Sequence, residues 1–193
     1  MKTLFKNQHG VSLVEILVTL VLISIAVLGS ASMQVYSKRA NNQAMQRTTA
    51  AHLSFDLLEK MRSNKSALDS YLPLLTLGGD TLGDAPETDC AAAAANCDSV
   101  TLAQYDLWAW EELLDGTSEQ ANARSVGGLS EATACITGPA GGIGGTYEVA
   151  IAWRGLEEHP NPTLHACGST SGKYGTNNEF RHVMVISAFV DDL

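Results

Sequence analysis

The sequence has no charged residue between Glu15 and Lys38. A helix needs about 20 apolar residues to cross a bilayer core, so this run is long enough to do so. Basic residues precede the run at Lys2 and Lys6, and no acid does. This asymmetry predicts a cytoplasmic N-terminus and places everything after Met33 on the far side of the membrane.

Three ordinary interpretations of the apolar run were considered. It could be a secretory signal peptide, with a cleavage site among the small residues 29–32. It could be a plain membrane anchor, or Ser12 and Glu15 could form a capping box at the start of a helix. An acid in lipid costs roughly 2.5 to 3.5 kcal/mol at the helix centre. Glu15 therefore argues against the first two interpretations, and the third does not explain Gly10 or the apolar run.

Basic residues are also scarce in the chain as a whole. It has 12 Lys and Arg against 21 Asp and Glu, and a formal net charge of -9. Nucleic-acid binding requires clustered cations, so we expect no nucleic-acid partner. The sequence has no C-x-x-C pair, no ligand pairing among its five His, and no nucleophile elbow. We therefore predict no enzyme activity, no cofactor and no metal site.

Four cysteines are present, at Cys90, Cys97, Cys135 and Cys167. The predicted topology places all four outside the cytoplasm, where disulfides persist, so we expect two bonds. Four cysteines allow three connectivities. We favour Cys90–Cys97 with Cys135–Cys167 because each pair is local in sequence and the alternatives interlock.

The remaining pattern predicts an α+β fold. Residues 11–62 are predicted to form one long helix that becomes amphipathic at Tyr36. Its domain-facing stripe is predicted to contain Ala44, Thr48, Ala51, Phe55 and Leu58, and Gly29 is its weakest point. Residues 64–99 form a connector with turns, in which residues 91–95 make one turn closed by a disulfide.

A second, short helix is predicted over residues 102–114, with Ala103, Leu107, Trp110 and Leu114 on one face. Trp108 lies off that face, and we favour partial burial against a strand over an exposed partner contact. Strands follow at residues 131–137, 147–153 and 180–190, and a weaker fourth strand at residues 124–129. A glycine-rich hairpin loop at residues 141–145 and a long loop at residues 154–178 connect them.

The residues Gly10-Val11-Ser12-Leu13-Val14-Glu15, with the basic leader before them and the apolar run after them, resemble the class III leader of type IV pilins and pseudopilins. The resemblance implies that prepilin peptidase cuts after Gly10 and that Val11 becomes the N-methylated N-terminal residue. The family's hallmark is a Glu four residues beyond the new N-terminal residue, and Glu15 occupies that position. This family more often has Phe where Val11 stands.

Two further segments are similar to PilV-like minor pilins. One is residues 51–64, which ends in Met61-Arg62-Ser63-Asn64. The other comprises residues 105–110, followed later by residues 147–153. The resemblance implies the type IV pilin fold, in which a long N-terminal helix packs on a small antiparallel sheet. It divides the chain into a leader (1–10), a membrane or filament-core half-helix (11–35), an amphipathic half-helix (36–63) and a globular domain (64–193).

The function implied by the resemblance is that of a minor pilin that primes or modifies pilus assembly, near the tip. Its expected partners are other minor pilins, the major pilin, prepilin peptidase, the inner-membrane assembly machinery and the inner membrane itself. The chain would stay in the inner membrane, with its domain in the periplasm, until it joins an extracellular pilus. Two alternatives remain: a type II secretion pseudopilin, and an adhesin or ligand-binding module whose patch would lie on the loop at residues 155–178.

Overall fold

A computed structural model describes residues 10–73, 76–93, 95–117, 119–121, 124–125, 127–162 and 165–191. The chain forms two compact units, Met1–Asn42 and Gln43–Leu193. The predicted leader lies outside the described residues except for Gly10. Together the elements confirm the predicted α+β fold with a long N-terminal helix and a small antiparallel sheet.

The long helix, α1, spans Leu13–Ser63 and confirms the predicted element to within two residues at its start. The backbone carbonyl of Ser12 accepts hydrogen bonds from the N–H groups of Glu15 (3.0 Å) and Ile16 (3.2 Å), which begins the helical turn. Among the described residues, α1 is long and apolar enough to cross a membrane, with a mean hydropathy of 2.5 in its most apolar window.

The second half of α1 packs on the domain, but not through the stripe that the sequence predicted. The buried face contains Ala50, Leu53, Ser54, Leu57, Leu58 and Met61. Phe55 is 54% exposed, and of the predicted stripe only Leu58 is fully buried. Two apolar stripes share the helical period on this segment, and the domain covers the one with the larger Leu and Met side chains, because that choice buries more apolar area.

The connector begins with a short 3-10 helix, Lys65–Tyr71, that the sequence analysis did not predict. The second α-helix, α2, spans Ser99–Asp115 and is longer than predicted. The Asp98 side chain accepts a hydrogen bond from the N–H of Thr101, and Gly116 ends the helix in the left-handed conformation. The predicted buried face of α2 is confirmed for Ala103, Leu107, Trp110 and Leu114.

The sheet has three antiparallel strands in the order β3-β4-β5, formed by Thr133–Thr137, Gly145–Arg154 and Arg181–Val190. All three predicted strands are confirmed. Of the weaker strand predicted at residues 124–129, only Arg124–Ser125 (β2) is strand among the described residues, and it pairs with Gln120–Ala121 (β1) in a separate two-stranded ladder. Residues 127–129 are not in a strand, and the side chain of Leu129 is buried in the core.

The central strand β4 is buried on both faces between Val149 and Trp153. One face packs into the core with α1 and α2. The other face, which carries Ala150 and Ala152, is covered by the loop between β4 and β5. Cys167 holds that loop down, because it is bonded to Cys135 of β3 and its Sγ lies 3.3 Å from the carbonyl oxygen of Ala150. The second bond joins Cys90 to Cys97, so both disulfides follow the favoured connectivity.

Candidate functional site

The predicted processing site lies at the N-terminal end of the described chain. Gly10, Val11 and Ser12 have no regular secondary structure and are exposed, so the bond between Gly10 and Val11 precedes the helix. An added side chain at Gly10 would have no neighbour within 4 Å. Glu15 lies in the first turn of α1, where the partial positive charge of the helix N-terminus favours a carboxylate.

A buried polar cluster joins the end of α1 to α2. The Tyr71 hydroxyl donates to Asp106 Oδ2 (2.6 Å), and Lys60 Nζ donates to Asp106 Oδ1 (2.8 Å). Asn64 Nδ2 donates to the Ser99 carbonyl (2.7 Å) and lies 3.3 Å from the Tyr71 hydroxyl. Burial, together with the bond to Asp106, raises the pKa of Tyr71 above its ordinary range, so Tyr71 stays a neutral donor.

This cluster joins the two segments that carry the minor-pilin resemblance. Asn64 ends the first segment and Asp106 lies in the second. Both residues are buried, with 5% and 7% of their surface exposed. A second direct bond, from Trp110 Nε1 to the Leu53 carbonyl (2.8 Å), adds to the Lys60–Asp106 ion pair between the same two segments. The buried residues Asn64, Asp106 and Trp110 of these segments therefore hold α1 and α2 together.

Asp106→Ala is expected to lower the free energy of unfolding by about 2 to 3 kcal/mol, because it leaves Lys60 and the Tyr71 hydroxyl without their acceptor in a buried position. Tyr71→Phe is the matched control. It keeps the ion pair with Lys60 and is expected to cost about 1 kcal/mol. Denaturant unfolding of the full chain in detergent measures both, and equal losses would contradict the central role of Asp106.

Acidic residues on α2 bind a turn of the connector through its backbone. Glu111 is 2% exposed and accepts hydrogen bonds from the N–H groups of Gly78 (2.6 Å), Thr81 (2.9 Å) and Leu82 (2.8 Å). Asp115 accepts from Gly79 (2.7 Å) and Asp80 (3.0 Å) in the same way. Neither role was predicted from the sequence, since backbone partners leave no side-chain motif.

Trp108 packs on the same turn region. Its Nε1 donates to the carbonyl of Gly83 at 3.2 Å, and the side chain is partly buried. Partial burial is confirmed, and the contacts that the structure shows are with the connector at Gly83 and with the ring of Tyr105 on α2, whose centroid lies 5.7 Å away. The connector lies against α2 because the carboxylates of Glu111 and Asp115 accept hydrogen bonds from its backbone N–H groups.

Arg181 organises the loop between β4 and β5. Its side chain is 2% exposed and donates to Asn161 Oδ1 (3.0 Å) and to the carbonyls of His165 (3.0 Å), Cys167 (2.6 Å) and Pro162. Tyr174 adds a bond from its hydroxyl to Thr133 Oγ1 (2.9 Å). Most of these partners are backbone atoms, so the bonds tie the described residues of the loop to the sheet.

Two histidines meet at the start of β5. The rings of His159 and His182 have centroids 4.2 Å apart, and His182 also stacks on Trp153 at 5.6 Å. His159 Nδ1 lies 2.7 Å from the Pro160 carbonyl. Burial, followed by the nearby His159 and Arg47, lowers the pKa of His182 to about 4.

The depressed pKa of His182 predicts a stability that falls in acid. Between the ordinary pKa of 6.5 and about 4, the unfolded chain binds a proton that the folded chain does not. The contribution of neutral His182 to the free energy of unfolding is therefore fully present above pH 6.5. On acidification to pH 4 the free energy of unfolding is expected to fall by about 1 to 2 kcal/mol, after allowance for solvent screening. His182→Gln should remove that part of the loss. Denaturant unfolding at pH 7 and pH 4 compares the two chains, and equal losses would refute the assignment.

Comparison with known proteins matches two parts of the chain. Residues 5–31 match the family model of the prokaryotic N-terminal methylation motif, and residues 32–108 match the model described as type IV pilin Tt1218. No curated protein and no solved structure was found to match. The narrower resemblance to PilV-like minor pilins stays a prediction.

These matches agree with the geometry. The methylation motif covers Gly10, Val11 and Glu15 and most of the apolar half of α1, and the pilin match covers the second half of α1 and the segments that the Asp106 cluster joins to it. The pilin family is structural, and its members associate with pilus components after processing by prepilin peptidase. The motif and the apolar helix fit membrane anchoring followed by incorporation into a pilus. The chain is thus similar to type IV pilins over residues 32–108, directly after a segment that matches the prokaryotic N-terminal methylation motif.

Proposed function

We propose that this chain is a minor pilin that primes or modifies the assembly of a type IV pilus, near its tip. The observation that carries the proposal is the N-terminal arrangement: Gly10 and Val11 precede the helix, Glu15 lies in its first turn, and an apolar membrane-length segment follows. The segments that resemble PilV-like proteins support the minor-pilin assignment, since Asn64 and Asp106 of those segments are joined in one buried cluster.

In this proposal the chain enters the inner membrane with its N-terminus in the cytoplasm and its domain in the periplasm. Lys2 and Lys6 favour that orientation. Its two disulfides are compatible with an oxidising compartment. Its partners would be other minor pilins, the major pilin and the inner-membrane assembly machinery.

Deletion of the gene tests the function. We expect loss of surface pili, measured by shear preparation and electron microscopy, and restoration by the wild-type chain. Loss of enzyme secretion with normal piliation would instead assign the chain to a type II secretion system. Normal piliation and secretion with lost attachment would favour the adhesin alternative.

Processing is the next prediction. We expect prepilin peptidase to release residues 1–10 and leave Val11 as the N-terminal residue, with methylation of its amine. Removal of Lys2 and Lys6 would change the formal net charge from -9 to -11. Intact-mass analysis of membrane-extracted protein measures the cut and the methyl group. Gly10→Val is the control, because a bulky residue at the scissile position should leave the leader attached. A mature chain that begins near Ser32 would identify a secretory signal and contradict the pilin assignment.

A further inference from the structure

The two edges of the sheet differ in how they are covered. At one edge, Ala134 of β3 exchanges two backbone hydrogen bonds with Leu77, at 2.8 and 2.9 Å. The opposite edge is β5, which pairs with β4 only on its inner side. An edge strand exposes a row of unpaired N–H and C=O groups that can pair with another chain.

The register identifies the outward-facing groups of β5. The backbone N–H and C=O of Ala134 bond to Leu77 and so point away from β4. Backbone groups alternate in direction along a strand, so those of Cys135 point toward Ala150 of β4. The backbone groups of the even-numbered residues of β4 therefore bond to β3. The odd-numbered residues of β4 then bond to the even-numbered residues of β5. The backbone groups of four residues therefore point outward: Val183, Val185, Ser187 and Phe189.

One contact agrees with this assignment. The outward carbonyl of Phe189 lies 3.4 Å from Arg62 Nη2 of α1, at one end of the row. The pairing of β4 and β5 is continuous from Gly145 opposite Val190 to Arg154 opposite Arg181, without a bulge. The rest of the row, residues 183–187, has no backbone partner recorded among the described residues.

Natural edge strands are commonly protected by charge, proline or a bulge. Residues 183–190 contain no charged residue and no proline. Val185 is 40% exposed and Phe189 is 65% exposed. This edge is long, regular and apolar, which is what an added strand requires and what an edge left in solvent avoids.

The edge of β5 adjoins the second half of α1 at Arg62. Arg62 follows Phe55 by about two helical turns and Ala51 by about three, so these residues lie on one line of the helix. Ala44 and Thr48 extend the same line. Ala44, Thr48 and Phe55 are exposed and Ala51 is half-buried. Because Arg62 reaches the outward carbonyl of Phe189, this stripe borders the edge of β5. Together they form one surface, composed of a helix stripe and a strand edge.

The direction of α1 bears on which partner fits. Gln43 and Arg47 line a groove with His182 and Val183, whereas Arg62 reaches Phe189. The second half of α1 therefore runs along β5 in the same direction. Antiparallel pairing of β5 with β5 of a second copy would point the two α1 segments in opposite directions. Under the proposed function all copies insert in the same direction, so we take the partner to be a different subunit.

We propose that the open edge of β5, at residues 183–189, accepts an extended segment of a neighbouring, different pilus subunit by β-strand addition. The segment has about seven residues, without charge and with apolar side chains at alternate positions, because a charge would lose its hydration beside this edge. The inference rests on the proposed function, and it adds to it the chemistry of one contact between subunits.

Proline at an outward-facing position tests the proposal. Val185→Pro removes an N–H that points away from β4, and proline is tolerated at such edge positions. Val185→Thr is the matched control, because threonine keeps the N–H and the branched shape. Ser187→Lys is a second variant that keeps the backbone intact and places a charge at the edge.

The readout is co-purification of other pilus subunits with the full chain from detergent-solubilised membranes, at equal protein levels and with thermal unfolding of each variant. We expect about tenfold less co-purified subunit with Val185→Pro and with Ser187→Lys, and no change with Val185→Thr. Normal co-purification with the folded Ser187→Lys chain would overturn the proposal. A detergent-solubilised dimer of the wild-type chain that Ser187→Lys makes monomeric would also overturn it, in favour of a second copy.

The proposed function can fail separately. If deletion of the gene leaves piliation unchanged, the minor-pilin assignment is wrong. If deletion abolishes piliation and the Ser187→Lys chain restores both piliation and co-purification, the function stands and strand addition at β5 is wrong.

Discussion

Replacement of Cys167 by serine is expected to lower the free energy of unfolding by about 3 to 4 kcal/mol, the value that the chain-entropy model assigns to a loop of this length. The Cys135–Cys167 bond joins residues 32 apart in sequence. Cys167 is 4% exposed and lies against the second face of β4. Loss of the bond releases the loop that covers that face, so Ala150 and Ala152 would lose their cover in part of the population.

The Cys90–Cys97 bond supplies the control. It joins residues only 7 apart, so the same model assigns it about 2 to 3 kcal/mol, and it closes a turn on the surface. Cys97→Ser should therefore cost less than Cys167→Ser in denaturant unfolding of the full chain. The double variant Cys135→Ser/Cys167→Ser should match Cys167→Ser alone, because either change breaks the same bond. A larger loss from Cys97→Ser would contradict the ranking.

Glu15→Ala is expected to leave a chain that is inserted and processed but that no longer joins its partner subunits. A carboxylate in an apolar environment requires a compensating charge. If processing occurs after Gly10, the new amine of Val11 is a positive charge in the same environment. Pairing of Glu15 with the amine of a neighbouring subunit would remove both penalties and would set the axial register of the two helices.

The alternative role of Glu15 is local. It could act only in the first turn of α1, where capping and dipole effects contribute on the order of 1 kcal/mol. Ser12→Ala separates the two roles, because it weakens the helix start and keeps the carboxylate. Co-purification at equal membrane levels is the measurement. Charge pairing predicts a loss with Glu15→Ala and none with Ser12→Ala, whereas a local role predicts normal co-purification with both.

The elements that sequence periodicity predicted best are those with a single apolar face. The face of α2 that contains Leu107 and Trp110 was predicted correctly, as was the alternation of Ala132, Ala134 and Ile136, because each has one apolar side to bury. The second half of α1 has two apolar stripes, and periodicity alone cannot say which one the domain covers. Phe55 was assigned to the wrong one for that reason.

Contacts made through backbone atoms could not be predicted. The side chains of Glu111, Asp115 and Arg181 bind backbone N–H and C=O groups. Nearly every residue carries such groups, so no pattern of side chains in the sequence predicts these contacts. The 3-10 helix at Lys65–Tyr71 was missed because its ordering depends on tertiary bonds from Asn64 and Tyr71 to α2. The processing motif, by contrast, depends only on the order of residues along the chain, so it can be identified from the sequence without knowledge of the fold.

The Cys135–Cys167 bond also determines how the domain would respond to mechanical tension. It closes a covalent ring that contains all of β4 and much of the loop after it. A pull applied beyond Cys167 passes through the sulfur atoms to β3 and does not stretch the enclosed chain. An extended chain spans about 3.3 to 3.6 Å per residue, so the 32-residue separation corresponds to roughly 110 Å of chain that cannot be extended while the bond is intact. A stretched domain with this bond intact would therefore lengthen by that much less than one in which it is reduced.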